Sequence, residues 1–192
     1  YLIEEVGIEP RHILAITFTN KAANEMKERV IGLLGDYAGG SLLCTIHSLC
    51  VRILRQNIRA LNYPNNFIIM DEEKSLLKKI FKERQIDSKT ISLKSCIHYI
   101  SAYKIAGVSP ERAMSFAGDY IGEQKKAIAY DDYEKYKEEH FMLDFDDLLL
   151  KTVELFENFP EILERWQRRF QYIHVDEFQD VSEVDYKLIK YL

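Results

Sequence analysis

Apolar positions along this chain change period several times, and the changes mark its elements. Ile13 to Phe18 is a short, nearly continuous apolar and β-branched run, as expected of a strand buried on both faces of a parallel sheet. Thr19 or Asn20 then caps a helix in which Ala22, Ala23, Met26, Val30, Leu33 and Leu34 recur at helical spacing, and Gly35 is placed to end it. Leu42 to Thr45 predicts a second short strand, and a second helix follows from about His47 to Ala60. This βαβα order predicts a parallel sheet with right-handed crossovers.

The pattern turns helical after residue 62. Leu76, Leu77, Ile80 and Phe81 form one stripe, with Asp71, Glu72 and Glu73 leading and Lys78, Lys79, Lys82 and Arg84 trailing, as the helix dipole prefers. Ser109, Pro110 and Glu111 mark another helix start. Only the Phe67 to Met70 run interrupts this helical stretch. Beyond it, Asp144 to Phe156 and Ile162 to Phe170 predict two helices, and Tyr172 to Val175 an apolar strand ending in Asp176 and Glu177.

The 192 residues are 47% hydrophobic and 30% charged, enough apolar content for a packed core and too much for a disordered tail. A net charge of −5 argues against binding polyanions through bulk charge, so any nucleic-acid contact has to be local. Residues 141–192 carry 12 acidic and only 6 basic side chains, which concentrates the acid at one end. Cys44, Cys50 and Cys96 make an odd count without metal-ligand spacing, which predicts reduced structural thiols and a cytoplasmic setting. No apolar run approaches the ~18 residues of a membrane helix, and no membrane partner is expected.

The sharpest chemical signal is Tyr172-Ile-His-Val-Asp-Glu-Phe-Gln-Asp180. An apolar strand that ends in adjacent carboxylates delivers them to the edge where parallel sheets bind ligands. In nucleotide hydrolysis one acid can hold magnesium while the next polarises the attacking water. The plainer alternative is an acid pair that caps the following helix or solvates a loop.

That string resembles the Walker B element, motif II, of superfamily one DNA helicases of the UvrD/PcrA/Rep type. Ile13-Leu-Ala-Ile-Thr-Phe-Thr-Asn-Lys-Ala-Ala23 resembles the family's motif Ia, Thr45-Ile-His-Ser48 its motif Ib, and Leu143-Asp-Phe-Asp-Asp-Leu148 its return from a helical insertion. The matches occur in the family's order and span nearly the whole chain. They imply an α/β fold: an incomplete RecA-like parallel sheet in residues 1–62 and 139–192, interrupted by an all-helical subdomain in residues 63–138. They also imply ATP and magnesium as nucleotide and cofactor, with Asp176 as the metal ligand, Glu177 as the catalytic base and Gln179 beside the nucleotide. The implied partners are single-stranded DNA, single-strand/duplex junctions and a second RecA-like domain.

Motif Ia has a physical reading of its own. Phe18 offers a π-face for a base, while Thr19, Asn20 and Lys21 offer a hydroxyl, an amide and a cation beside a helix N-terminus. Thr45 and His47 sit at a similar strand-to-helix transition, where a sugar-phosphate chain finds donors. The alternatives are a helix cap with Phe18 in the core, and a Thr N-cap with a partly buried His. Ile46 stands where the family more often has Phe, and Val181-Ser182 replaces its usual Thr-Asn.

Other clusters read more plainly. Arg52, Arg55 and Arg59 share a helical stripe that either tracks phosphates or is simply solvated. Asp144, Asp146 and Asp147 fan apart on a helix and are better explained by an N-cap with acids in the first turn than by a metal. Tyr130, Tyr133, Tyr136 and His140 fit core packing better than base stacking. Trp166 with Arg165, Arg168 and Arg169 suits a cation–π or interdomain surface, or a helix anchored by one aromatic.

The chain lacks a Gly-rich phosphate loop ending in Gly-Lys-Thr or Gly-Lys-Ser. Tyr1, Leu2, Ile3 and Val6 are spaced like the tail of a helix, so the chain reads as an internal piece of a motor domain, expected to be inactive alone. Two other readings remain: the motor of a recombination helicase–nuclease, and a non-enzymatic docking module on a degenerate motor scaffold.

Overall fold

A computed structural model describes residues 1–35 and 40–192. In chain order the elements are β1 (Ile13–Thr17), α1 (Asn20–Leu34), β2 (Leu42–Thr45), α2 (Ile46–Asn57), β3 (Ile68–Ile69) and α3 (Glu73–Glu83). They continue with α4 (Leu93–Ile105), α5 (Pro110–Ala117), α6 (Ile121–Glu139), β4 (Met142–Leu143), α7 (Phe145–Asn158), α8 (Pro160–Arg169), β5 (Tyr172–Val175) and α9 (Glu183–Tyr191). They divide into two compact units, Tyr1–Asn65 with Leu148–Leu192, and Asn66–Asp147.

The first unit is built on a parallel sheet of order β2-β1-β5. All five residues of β1 are buried, because it is paired on both edges and covered on both faces. Burying a side chain such as Leu14 or Ile16 contributes about 1.5–3 kcal/mol, so this strand anchors the unit. Strand β5, with one described neighbour, is only partly covered. The strand expected over Ile13 to Phe18 stops at Thr17, and the helix expected from His47 to Ala60 ends at Asn57 in a 3-10 turn. Residues 1–6 form a hydrogen-bonded turn in which the Glu5 and Val6 amides donate to the Tyr1 carbonyl.

The second unit packs α3, α4, α5 and α6 around Leu77, Ile80, Cys96, Ile100, Ala127 and Tyr130. The Phe67 to Met70 run does form a strand there: β3 pairs in parallel with β4 through Ile68 opposite Met142 and Ile69 opposite Leu143. The second partner was not apparent from the sequence, because two residues are too few to show a period. Residues 139–147 belong to this unit, so its end lies nine residues beyond the expected boundary at 138.

What holds residues 144–147 in the second unit is a buried ionic cluster. Lys104 Nζ lies 2.5 Å from Asp144 Oδ2 and 2.7 Å from Asp147 Oδ1; Lys137 Nζ lies 2.8 and 2.6 Å from the same two carboxylates. The Tyr133 hydroxyl donates to Asp144 Oδ2 at 3.1 Å. The Asp147 amide donates to Asp144 Oδ1 at 2.9 Å and the Asp144 amide donates to Asp147 Oδ2 at 3.0 Å, a reciprocal cap on α7. The N-cap reading of these acids therefore stands, but Asp144 and Asp147 converge on the two lysines rather than fanning apart.

The third acid of the cluster, Glu134, has Oε1 2.9 Å from Lys137 Nζ and 3.7 Å from Lys104 Nζ. Burial pushes the Glu134 carboxyl up, partly offset by the charges of Lys137 and Lys104. Burial alone would also raise Asp144, yet the charges of Lys137 and Lys104 and their hydrogen bonds override it and hold Asp144 far below the usual carboxylate range. Lys137 is pulled down by burial but driven up more strongly by Asp147, Asp144 and Glu134.

Removing one member of such a buried set leaves uncompensated charge. Lys137→Met is expected to destabilise the second unit by about 3–5 kcal/mol, read from urea melting. The acid dependence has a defined sign. Depression of Asp144 contributes stability above its unfolded pKa of about 3.9, and that stability is lost as pH falls through the lower folded value. Raised Glu134 costs stability at neutral pH and returns it on protonation. Melting of the second unit should thus hold steady or strengthen slightly from pH 7 to about 5, and weaken only below about 4.

Candidate functional site

Three strand ends meet at one edge of the first unit's sheet. The register places Thr17 of β1 beside Thr45 of β2, and Ile16 beside Val175 of β5. The Asp176 amide donates to the Ile16 carbonyl at 2.9 Å, extending the β5 pairing to the residue that leaves the strand. With neighbouring strands about 4.8 Å apart, the backbones at Thr45 and Asp176 stand roughly 10 Å apart across β1. Phe18, Thr19, Asn20 and Lys21 leave β1 at this edge, Ile46 and His47 leave β2, and Glu177 leaves β5. The sheet thus brings together the residues of the three motif-like stretches, with Gln179 joined to the edge through Glu177, whereas Arg52, Arg55 and Arg59 lie farther along or beyond α2.

Two helix N-termini start at the same edge and bring their free amides and positive dipole ends with them. Thr19 is extended, with φ −121° and ψ 146°, and its Oγ1 accepts from the Ala22 amide at 3.1 Å to cap α1. Thr45 caps α2: its buried Oγ1 accepts from the Ser48 amide at 3.2 Å and donates to Ser48 Oγ at 2.9 Å. The Thr45 hydroxyl is therefore committed to the helix, whereas Thr19 and Asn20 are exposed and Phe18 and His47 half-buried. Lys21 is exposed and sits 3.8 Å from Glu25, a contact too loose and too wet to hold it.

The Asp-Glu pair sits on a sharp bend. Glu177 adopts the left-handed conformation, φ 50° and ψ 43°, costly for a side chain with a Cβ. The bend turns the chain out of β5 into a 3-10 turn over Phe178–Asp180 and leaves both carboxylates exposed. Asp176 Oδ1 accepts from the Glu177 amide at 3.0 Å, which fixes its carboxylate. The Gln179 amide donates to Glu177 Oε2, which fixes the second. Ser182 and Asp185 then close a capping box that starts α9.

The other clusters resolve individually. Arg55 Nη1 donates to the Asn65 carbonyl at 2.7 Å and Arg59 Nη2 to Asn65 Oδ1 at 3.2 Å, so two arginines of the stripe brace a loop. Tyr130 and Tyr133 are core residues, and Tyr136 stacks on His140 with ring centroids 4.1 Å apart. Burial raises the Cys44, Cys50 and Cys96 thiols, to about 11, 12 and 11, which makes them poor nucleophiles. Sequence reasoning missed the Lys104–Lys137–Asp144–Asp147 set; the available signal was a lysine on the apolar face of α6, four residues after Tyr133.

The whole chain, residues 1–192, matches the family model for the UvrD/REP helicase N-terminal domain. It is 46% identical over its full length to the ATP-dependent DNA helicase PcrA of Bacillus subtilis strain 168, 45% to that of Staphylococcus aureus strain Mu50 and 44% to that of Staphylococcus epidermidis. In each case it covers 26% of the relative, so the chain spans about a quarter of the length of the curated relatives it matches.

The two caps differ in a measurable way. Thr45→Ala removes two partly buried hydrogen bonds and is expected to lower the first unit's stability by about 1–2 kcal/mol in urea, against about 0.5 kcal/mol for exposed Thr19→Ala.

Proposed function

Because the chain belongs to the UvrD/REP helicase N-terminal domain family, we propose that it is part of an ATP-dependent motor that translocates on single-stranded DNA and unwinds duplex. The observation that carries this reading is the Asp176–Glu177 pair at the tip of β5, on the same sheet edge as the N-termini of α1 and α2.

The donor set suits magnesium. Asp176 is exposed and offers a hard oxygen donor, with Oδ1 held by a backbone amide. Magnesium keeps several waters and takes other oxygens from the substrate's phosphates, so one or two protein carboxylates suffice. When bound, the ion neutralises charge on the phosphates during transfer. Glu177 takes the proton from the attacking water through Oε1, while Gln179 holds Oε2 and so orients the carboxylate. ATP turnover on this reading belongs to the full-length protein, in which a second RecA-like domain completes the nucleotide site.

Single-stranded DNA fits across the other half of the edge. The half-buried Phe18 ring offers a stacking face, and Asn20, Lys21, His47 and the free amides of α1 and α2 meet phosphates. Thr19 and Thr45 contribute by holding those helix ends. The three unpaired cysteines suit a reducing cytoplasm.

In the full-length protein, Glu177→Gln is expected to lower ATP turnover by about 10²–10⁴-fold with nucleotide binding retained. Unchanged turnover overturns the role. For DNA, Phe18→Ala should weaken oligothymidylate binding by about 1–3 kcal/mol in fluorescence anisotropy, with affinity falling as salt rises. Equal affinity at low salt removes Phe18 from the DNA path.

A further inference from the structure

At the far edge of the first unit's sheet, the C-terminal end of α2 and helix α8 border an open cavity of about 130 Å³ lined by Gln56, Asn57, Arg165, Trp166 and Arg169. Trp166 is buried at its floor. The Arg169 guanidinium lies 5.5 Å from the indole centroid and 5.4 Å from the Phe170 ring. Arg165 Nη2 donates to Asn57 Oδ1 at 2.9 Å, and Asn57 Nδ2 donates to the Ile53 carbonyl at 2.8 Å, so one fixed amide orients that guanidinium.

Several cations of the chain are paired from within it. Arg11, Arg84, Lys126, Lys135 and Lys187 each sit within 3 Å of a carboxylate. Among the described residues no carboxylate pairs with Arg165 or Arg169, and none lines the cavity. Arg168, one residue along, faces Glu164 at 3.9 Å. One guanidinium oriented by an amide and one set against aromatic rings thus border a hollow whose lining carries no carboxylate, a geometry that suits an anionic group.

The site's position separates it from the nucleotide and DNA edge. Helix α2 begins at that edge and runs 12 residues, about 18 Å, before reaching the cavity. Arg169 is tied to the start of β1 by a hydrogen bond between its carbonyl and His12 Nδ1 at 2.9 Å, and the Gln171 amide donates to the His12 carbonyl.

We propose that this cavity is a docking site for an acidic peptide segment of a protein partner, whose carboxylates pair with Arg165 and Arg169. A peptide suits the site better than a nucleic acid. The cavity supplies two cations rather than a track, and Arg55 and Arg59, which would extend it along α2, are turned to Asn65.

Trp166 is the chain's single tryptophan, so its fluorescence reports on the cavity directly. Titrating the 192-residue chain with a dodecapeptide carrying six glutamates should give a saturable change in Trp166 emission, absent with the same peptide bearing glutamine. Arg165→Gln with Arg169→Gln should weaken binding about tenfold or more, and Arg168→Gln less than twofold. Should the double variant melt early, Arg165→Lys, which keeps the charge but loses the fork, is expected to weaken binding severalfold. No response up to about 1 mM peptide overturns the proposal. So does equal binding by the variants, or a larger Trp166 response to oligothymidylate that is lost with the same two arginines.

Discussion

The pairing of β1 on both of its edges is the constraint from which the rest of the first unit follows. Parallel neighbours must be joined by crossovers, so every strand runs the same way and every strand end falls on the same side. The helices that follow β1 and β2 therefore begin where β5 ends. A helix N-terminus is electropositive and rich in free amides, and an anion-binding edge is the outcome of topology before any particular side chain is chosen. Strand burial keeps it in place: β1 has no exposed residue, and a one-residue slip in its pairing would displace Asp176 from Ile16 and move the acids along the edge.

The two units settle charge in opposite ways. In the second, five ionisable groups are withdrawn from water, and the cost of desolvation is met only because two ammoniums and three carboxylates lie within 4 Å of one another. The set fixes where the chain leaves that unit, since Asp144 and Asp147 are bonded to each other as well as to both lysines. At the sheet edge of the first unit the acids stay in water, each restrained by a single hydrogen bond from within its own turn. Exposure suits the ligand and proton exchange proposed for these acids, whereas burial suits groups whose task is to stay paired.

Elements with a strong local signal were legible from residues alone. Leu42 to Thr45 and Tyr172 to Val175 are strands over the expected range, and Thr19, Ser109 and Gly35 stand at the expected helix ends. The C-terminal end of α2 was misplaced because Ile58 and Leu61 keep the apolar spacing through a 3-10 turn. The candidate edge was legible because its residues lie within a few positions of strand ends, where local pattern and topology agree. The buried lysine set was not, because Lys104 and Lys137 look like ordinary charged residues until α4, α6 and the start of α7 bring them together across 40 residues. Long-range ion pairing leaves no period in a sequence.

The far edge of the sheet completes the argument from topology. If helix N-termini gather at one edge, helix C-termini approach the other, and cations there are favoured by the negative end of the dipole. Arg168 and Arg169 in the last turn of α8 and Arg55 in that of α2 fit this rule. The dipole accounts for their presence but not for their arrangement, since a favourable last-turn cation needs only proximity and about 0.3–1 kcal/mol. It requires neither an amide that orients a neighbouring guanidinium nor a buried indole beneath one, and it would be satisfied equally by solvated lysines. What remains to be explained is a pair of oriented guanidiniums around a hollow, and an incoming carboxylate would supply the compensation that the chain's close ion pairs provide from within.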